Sequence, residues 1–144
     1  MQLIPLTEEY LEFLLEVRND ESTRKFLEND SVFTIDQCRN WFSTLKNPWY
    51  IIIVDDNPVG YLRTDGTDIG CDIHPNYRRK GYAKMAYLKL LENMDIATLW
   101  VFDDNFAKDL YLKIGFLPTG DTKIIRGREY INMICIKKNI RRDE

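Results

Sequence analysis

IGCDIHPNYRRKGYAKMAYLKLL, Ile69 to Leu91, is the stretch whose reading decides the fold. Ile69, Cys71 and Ile73 alternate with Gly70 and Asp72, a period of two that predicts a strand. His74-Pro75-Asn76 ends it, because proline cannot donate to a ladder and asparagine tolerates turn geometry. After the basic run Arg78-Arg79-Lys80 and Gly81, apolar residues recur at Tyr82, Ala83, Ala86, Tyr87, Leu90 and Leu91, which is helical spacing. A strand therefore feeds a basic loop, and the loop opens a helix. The first N–H groups of a helix have no intrahelical partner and carry the positive end of its dipole. Gly81 lacks a Cβ, so an anion can approach the backbone closely. The arrangement suits a phosphate-bearing ligand; a plain strand–helix connection with a solvated basic turn is the competing reading. The P-loop pattern GxxxxGK[ST] and the dinucleotide fingerprint GxGxxG are both absent.

Upstream, Gln2 to Leu6 reads as a short strand. Thr7 is an N-cap for a helix to about Arg18, and a second short helix runs from Thr23 to Leu27. Thr34 and Gln37 form a capping-box pattern for a third helix with Ile35, Cys38, Trp41, Phe42 and Leu45 on one face. Trp49 to Val54 and Val59 to Thr64 are strands around an Asp55-Asp56-Asn57-Pro58 turn. Asp65-Gly66 is a hairpin signal, so Thr67 to Ile73 completes a meander. Downstream, the helix after Gly81 runs to about Met94. Ala97 to Phe102 is a strand parallel to the one before that helix, as a crossover requires. A helix follows from Phe106 to Ile114, opened by Asp103-Asp104-Asn105 and closed by Gly115. Phe116 to Thr119, Lys123 to Ile125 and Glu129 to Lys137 read as strand, and Lys137, Lys138, Arg141 and Arg142 as a solvated basic tail.

Residues 1 to 144 suit one domain with its own core. Apolar residues make up 44% and charged residues 30%, as in soluble globular chains. The net charge of −3 and pI of about 5.3 argue against a nucleic-acid-binding face. Cys38, Cys71 and Cys135 are scattered and odd in number, with no metal-ligand spacing, so free thiols and no bound metal are expected. No signal peptide or membrane span is read, which makes cytoplasmic residence the expectation.

Arg78-Arg79-Lys80-Gly81-Tyr82-Ala83 resembles the [RQ]-x-x-G-x-[GA] signature of the GNAT superfamily of acyl-CoA N-acyltransferases. Ala107, Leu110, Tyr111, Lys113, Gly115 and Phe116 resemble that family's second pattern, A-x-x-L-Y-x-K-x-G-F. The closest branches in style modify ribosomal-protein N-termini or amino sugars. The resemblance implies one α/β domain (an α+β mixed sheet) in the order β-α-α-β-β-β-α-β-α-β-β. It also implies acetyl transfer from acetyl-CoA to a primary amine by direct attack in a ternary complex. The loop from Arg79 to Ala83 would wrap the CoA pyrophosphate, with Arg78, Arg79 and Lys80 adding screened attraction. Cys71, Asp72 and Ile73 would pair with the pantetheine arm in a slot between two splayed strands. Tyr111 stands where the family's general acid does, and a phenol of pKa near 10 is protonated at pH 7. A helix-face aromatic packing on the core is its bland alternative.

Two departures stand out. Where the family has Asn, three residues before the Ala, this chain has Asp104, with Asn105 one step later. Asn105 is the expected cofactor contact. Thr67 and Ile69 stand where some members carry a basic Glu or His, and neither takes a proton. Asp68 and Asp72 are nearby, but alternation turns them to the opposite face. Deprotonation through water, or binding of an already neutral amine, is then the alternative. His74 reads as a strand-end residue. Arg18 and Arg24 suit an acidic group on the acceptor, or else surface pairs with Glu21 and Glu28. The expected partner is a small-molecule or peptide amine, the expected assembly a monomer or homodimer. A CoA-binding sensor without turnover and an interaction domain are the other classes.

Overall fold

A computed structural model describes residues 1–142. Seven strands form one sheet: β1 (Gln2–Pro5), β2 (Trp49–Val54), β3 (Asn57–Asp65), β4 (Asp68–Ile73), β5 (Ile96–Phe102), β6 (Leu117–Ile125) and β7 (Arg128–Ile136). Their order across the sheet is β1-β2-β3-β4-β5-β7-β6. Every neighbouring pair is antiparallel except β4 and β5, which run parallel. The helices are α1 (Leu11–Asn19), α2 (Glu21–Arg24), α3 (Ile35–Ser43), α4 (Tyr82–Leu91) and α5 (Ala107–Ile114).

Alternation along the strands sorts the side chains into two cores. Ile69, Ile73, Leu99, Val101 and Met133 meet Tyr87 and Leu91 of α4 and Tyr111 and Ile114 of α5 on one face. Ile51, Ile53 and Tyr61 meet Leu11, Leu14, Val17 and Cys38 on the other, under α1 and α3. Full burial of such side chains contributes about 1.5–3 kcal/mol each before entropy is charged against it.

Local signals explain most boundaries. Asp55 and Asp56 both adopt positive φ (51° and 65°), the geometry of a two-residue hairpin turn that Asp tolerates. The Thr34–Gln37 capping box is fully formed. The first helix differs from expectation: Glu8–Tyr10 is a 3-10 turn, and Thr7 makes no side-chain cap. Asp20 instead caps α2, which accordingly starts before Thr23. The two segments expected around Gly120 are one strand, β6, whose pairing with β7 slips between Pro118 and Thr122. The basic tail is not simply solvated: Lys137 and Arg142 donate to the Glu92 and Leu88 carbonyls at the C-terminal end of α4, where cations oppose the helix dipole.

Candidate active site

β4 and β5 pair only at Asp68 and Thr98, helped by a Thr98 N–H to Thr67 carbonyl bond of 2.8 Å. Beyond that point they splay. The gap is a slot of about 350 Å³ bounded by Cys71 and Ile73 on one side and Leu99 and Val101 on the other. Its α4–α5 wall brings Ala83, Tyr87, Leu110 and Tyr111 to the opening. The β4 edge from Ile69 to Ile73 therefore faces a cavity where a ladder partner would otherwise lie, as strand addition by an extended ligand requires.

At the outer end of the slot stands the basic loop. Arg79 and Gly81 both have positive φ (64° and 80°). Gly81 directs its absent Cβ into open space, so the backbone conformation and not crowding demands glycine there. Arg79, Lys80 and Gly81 are exposed, and Tyr82 and Ala83 are half-buried at the start of α4. Arg78 behaves differently from its neighbours. Its guanidinium donates to the Ile73 carbonyl (3.0 Å), Ser22 Oγ (2.6 Å) and Thr23 Oγ1 (2.9 Å), tying the end of β4 to α2.

Tyr111 is buried, with its hydroxyl 3.2 Å from that of Tyr87 and the two rings edge-to-face. Burial raises the pKa of both phenols well above 10, so both are protonated at neutral pH. Tyr87 was readable in the sequence only as an apolar position of α4; nothing there signals that its hydroxyl meets Tyr111. The thiol of Cys71 is likewise pushed up by burial and stays uncharged.

Asn105 lines the slot, and its side-chain oxygen accepts from the Ala107 N–H at 2.9 Å, capping α5. Asp104 turns away and forms a two-point pair with Arg128, at 2.9 and 2.7 Å, which lowers its pKa. The chain thus keeps a neutral amide at the slot and sends the carboxylate to β7.

β4 has no bulge, so Asp68 and Asp72 face the α1–α3 side, as alternation requires. There they line a second cavity of about 210 Å³ with Tyr61, Arg63, Trp100 and Tyr130. Asp72, Arg63, Trp100 and Tyr130 also line the slot, so these side chains border both spaces at the split in the sheet. Tyr61 donates to Asp72 Oδ2 at 2.7 Å. Desolvation nonetheless raises the Asp72 pKa, with the Tyr61 bond and nearby guanidinium groups opposing it. Asp68 Oδ2 pairs with Arg63 at 3.0 Å, and its buried Oδ1 has no hydrogen-bond partner.

The remaining candidates hold the roof. Arg18 donates to the Asn29 and Ser31 carbonyls, and Arg24 to those of Asn19 and Asp30, so neither pairs with Glu21 or Glu28. From the β6–β7 turn, Arg126 reaches the Leu27 and Glu28 carbonyls and Arg128 that of Lys25. Four arginines thereby fix residues 25–31 over the slot. His74 contacts Glu16 at 3.1 Å, at the strand end. A larger cavity of about 650 Å³, lined by Met1, Asn47, Pro48 and Met94 among others, touches neither the sheet split nor the basic loop.

No curated protein matches the chain in sequence. Solved structures do match its fold. A spermidine N-acetyltransferase from Vibrio cholerae, in complex with CoA and spermine, aligns with TM-score 0.87 and 17% identity over 96% of each chain. A ribosomal-protein-alanine N-acetyltransferase from Brucella melitensis aligns at 0.77 and 17%, over 94% of this chain and 99% of its own. A GNAT-family acetyltransferase from Bacillus anthracis aligns at 0.76 and 20%, over 94% of each. The profile of the acetyltransferase (GNAT) family matches residues 5–116, covering the basic loop, the split strands and the Tyr111 helix, and the chain belongs to that family.

Proposed function

We propose that this protein transfers the acetyl group of acetyl-CoA to a primary amine by direct attack in a ternary complex. The observation that carries the reading is the split between β4 and β5, with a protonated phenol pair on one face and a desolvated carboxylate on the other. The residues fit the co-substrate. The edge of β4 from Cys71 to Ile73 takes the pantetheine arm, and the Arg79–Ala83 backbone with Lys80 takes the pyrophosphate. Asn105 borders the arm, and Arg78 holds α2 beside it.

Acetyl-CoA supplies an activated carbonyl, and transfer makes a C–N bond as the C–S bond breaks. Tyr111 gives its phenolic proton to the departing sulfur, and Tyr87 orients that hydroxyl. Asp72 is the proton acceptor for the amine, directly or through one water, because it alone of the two aspartates borders both cavities. Its raised pKa makes it a stronger base than a surface carboxylate. Holding amine and thioester together across the split supplies much of the acceleration. The neighbours named for spermidine and for ribosomal-protein alanine bracket the acceptor between small amines and peptide N-termini.

The test is calorimetric titration with acetyl-CoA followed by thiol release with a panel of primary amines. Micromolar binding with amine-dependent thiol release is the expected result. Binding without release for any amine would overturn transfer, and no binding would overturn the slot assignment.

A further inference from the structure

Two guanidinium groups line the slot, and they are spent differently. Every nitrogen of the Arg78 guanidinium donates into the fold, to Ile73, Ser22 and Thr23. Arg63 spends one: Nη1 donates to Asp68 Oδ2 at 3.0 Å, and Nε and Nη2 bond nothing among the described residues. Those two are not sealed in. Asp68 Oδ1 is the one enclosed side-chain nitrogen or oxygen without a partner among the described residues, and the Arg63 side chain is 29% exposed. The Nε–Nη2 edge is a two-donor fork, and Arg128 uses the same edge to hold both oxygens of Asp104. We propose that Arg63 is the oxyanion donor of the reaction, its free edge receiving the thioester carbonyl oxygen as the amine attacks. The inference rests on the transferase reading and adds a catalytic residue to it.

Position along the slot selects the carbonyl. In that reading the pyrophosphate sits at the basic loop and the pantetheine arm runs inward past Ile73 and Cys71. β4 and β5 rejoin at Asp68 and Thr98, so the acetyl group comes to rest near the Gly70 rung. Arg63 is the cross-strand partner of Gly70, which puts its side chain on the face that residue 70 leaves bare. A Cβ on Gly70 would lie 2.4 Å from Nε, 2.7 Å from Cζ and 2.8 Å from Nη2 of Arg63. The guanidinium therefore rests on naked backbone. Glycine weakens a strand interior, and here it lets a cation lie against the split.

Charge selects the oxygen over the sulfur and the nitrogen. Burial dominates the raised pKa of Tyr111, and the Arg63 charge opposes it, as it does at Tyr61 and Tyr130. The cation thus acts on both faces of the split. A guanidinium donates hydrogen bonds and does not give up its proton in a protein, so its use here is to hold negative charge. As the C–N bond forms, the carbonyl π pair moves onto oxygen beside Arg63. It returns as the C–S bond breaks, with the amine proton on Asp72 and the Tyr111 proton on sulfur. Asp68 fixes the far side of the guanidinium, so the donor is in place before the charge appears.

Wild type, Arg63→Met and Gly70→Ala are each saturated with acetyl-CoA labelled with heavy carbon at the carbonyl, without amine. Isotope-edited infrared spectroscopy then reads the thioester stretch. The stretch should fall on binding to wild type, and most of that fall should vanish in both variants while calorimetry still shows acetyl-CoA bound. Gly70→Ala displaces the guanidinium without removing a charge, and it serves alone if Arg63→Met does not fold. Thiol release is followed with phenethylamine, spermidine and glycine. In Arg63→Met, kcat should drop about 10²–10³-fold, the cost of one oxyanion donor, with the amine KM little changed. An unaltered stretch in either folded variant, or no fall in acetyl-CoA-bound wild type, overturns the assignment and leaves acetyl transfer standing. A raised KM for glycine alone, with kcat kept, gives the fork to an acceptor carboxylate and overturns it equally. Acetyl-CoA binding with no thiol release for any amine overturns the transferase reading and this inference with it.

Discussion

Tyr111→Phe separates chemistry from packing because the substitution removes one oxygen and keeps the ring. The ring makes edge contacts with Tyr87 and Phe116, at 5.5 and 6.0 Å between centroids, and Phe preserves both. The hydroxyl makes one protein hydrogen bond, to Tyr87 at 3.2 Å, and losing it leaves the buried Tyr87 hydroxyl unpaired. That costs about 1–3 kcal/mol. In a chain of this length it lowers Tm by roughly 2–4 °C per kcal/mol. Tyr87→Phe breaks the same bond from the other side and should cost a similar amount of stability. The two variants part company in rate. Loss of a general acid slows turnover by about 10²–10⁴-fold, so Tyr111→Phe should lose kcat with acetyl-CoA affinity nearly unchanged. Tyr87→Phe should lose far less, since it only orients the donor. Stopped-assay kcat, calorimetric affinity and thermal melts on both variants, with the double variant closing the cycle, give the answer. A Tyr111→Phe kcat within about threefold of wild type, below the general-acid range, would refute the assignment. The pH dependence supplies an independent check. Burial holds the Tyr111 phenol protonated beyond its ordinary titration near 10, so loss of the acid form should not limit kcat below that pH.

Gly81→Glu forces a side chain onto a residue at φ 80° and sets a carboxylate beside the basic loop, so acetyl-CoA affinity should fall at least tenfold by calorimetry while the circular dichroism spectrum is kept. Asp72 has its pKa raised by desolvation; its base form is lost as pH falls through that raised value, so the acid limb of kcat/KM should lie above the ordinary Asp value of about 3.9 and vanish, with a large drop in rate, in Asp72→Asn. The same shift means the folded state binds this proton more tightly than the unfolded one, so stability falls as pH rises from the ordinary toward the raised value, and denaturant titrations across that window should be flatter for Asp72→Asn. Arg78→Lys keeps the charge but not the fork that reaches Ile73, Ser22 and Thr23 together; one charged hydrogen bond lost is worth about 1.5–3 kcal/mol, so a melt should show clear destabilisation where a purely electrostatic role for Arg78 predicts none.

Elements whose cause is local were legible in the sequence. Trp49–Val54 announces itself by six apolar residues between a proline and an aspartate pair, and the Thr34 capping box needs only residues three apart. The slot was legible only through family resemblance, because a missing ladder between β4 and β5 leaves no periodic trace. The aspartate face was half legible. Alternation turned Asp68 and Asp72 away from Ile69, but that the far side of the sheet holds a cavity depends on α1, α2 and the roof loop. The arginines were least legible. Arg18, Arg24, Arg78, Arg126 and Arg128 all look like surface cations, and each instead donates to backbone carbonyls or hydroxyls across the fold. Long side chains reach partners 5 to 103 positions away in sequence, and no short pattern encodes that.

The site and the core share one constraint, the register of β4. Its odd-numbered side chains pack under α4 and Asp68 and Asp72 face the second cavity, so a slip of one residue would turn the two aspartates under α4 and Ile69 and Ile73 toward that cavity. Burying unpaired carboxylates costs far more than the pairing recovers, so hydrophobic burial fixes which face of the sheet carries the two aspartates. Two glycines complete the arrangement. A Cβ on Gly60 would lie 2.4 Å from the Asp72 carbonyl oxygen, so the β3–β4 approach at that rung requires its absence. A Cβ on Gly70 would lie 2.4 Å from Nε of Arg63, whose guanidinium crosses that strand position to reach Asp68. Arg63 can neutralise Asp68 only because residue 70 has no side chain. With one oxygen of Asp68 held this way and the other buried without a partner, the carboxylate stays anchored in the strand beside Asp72.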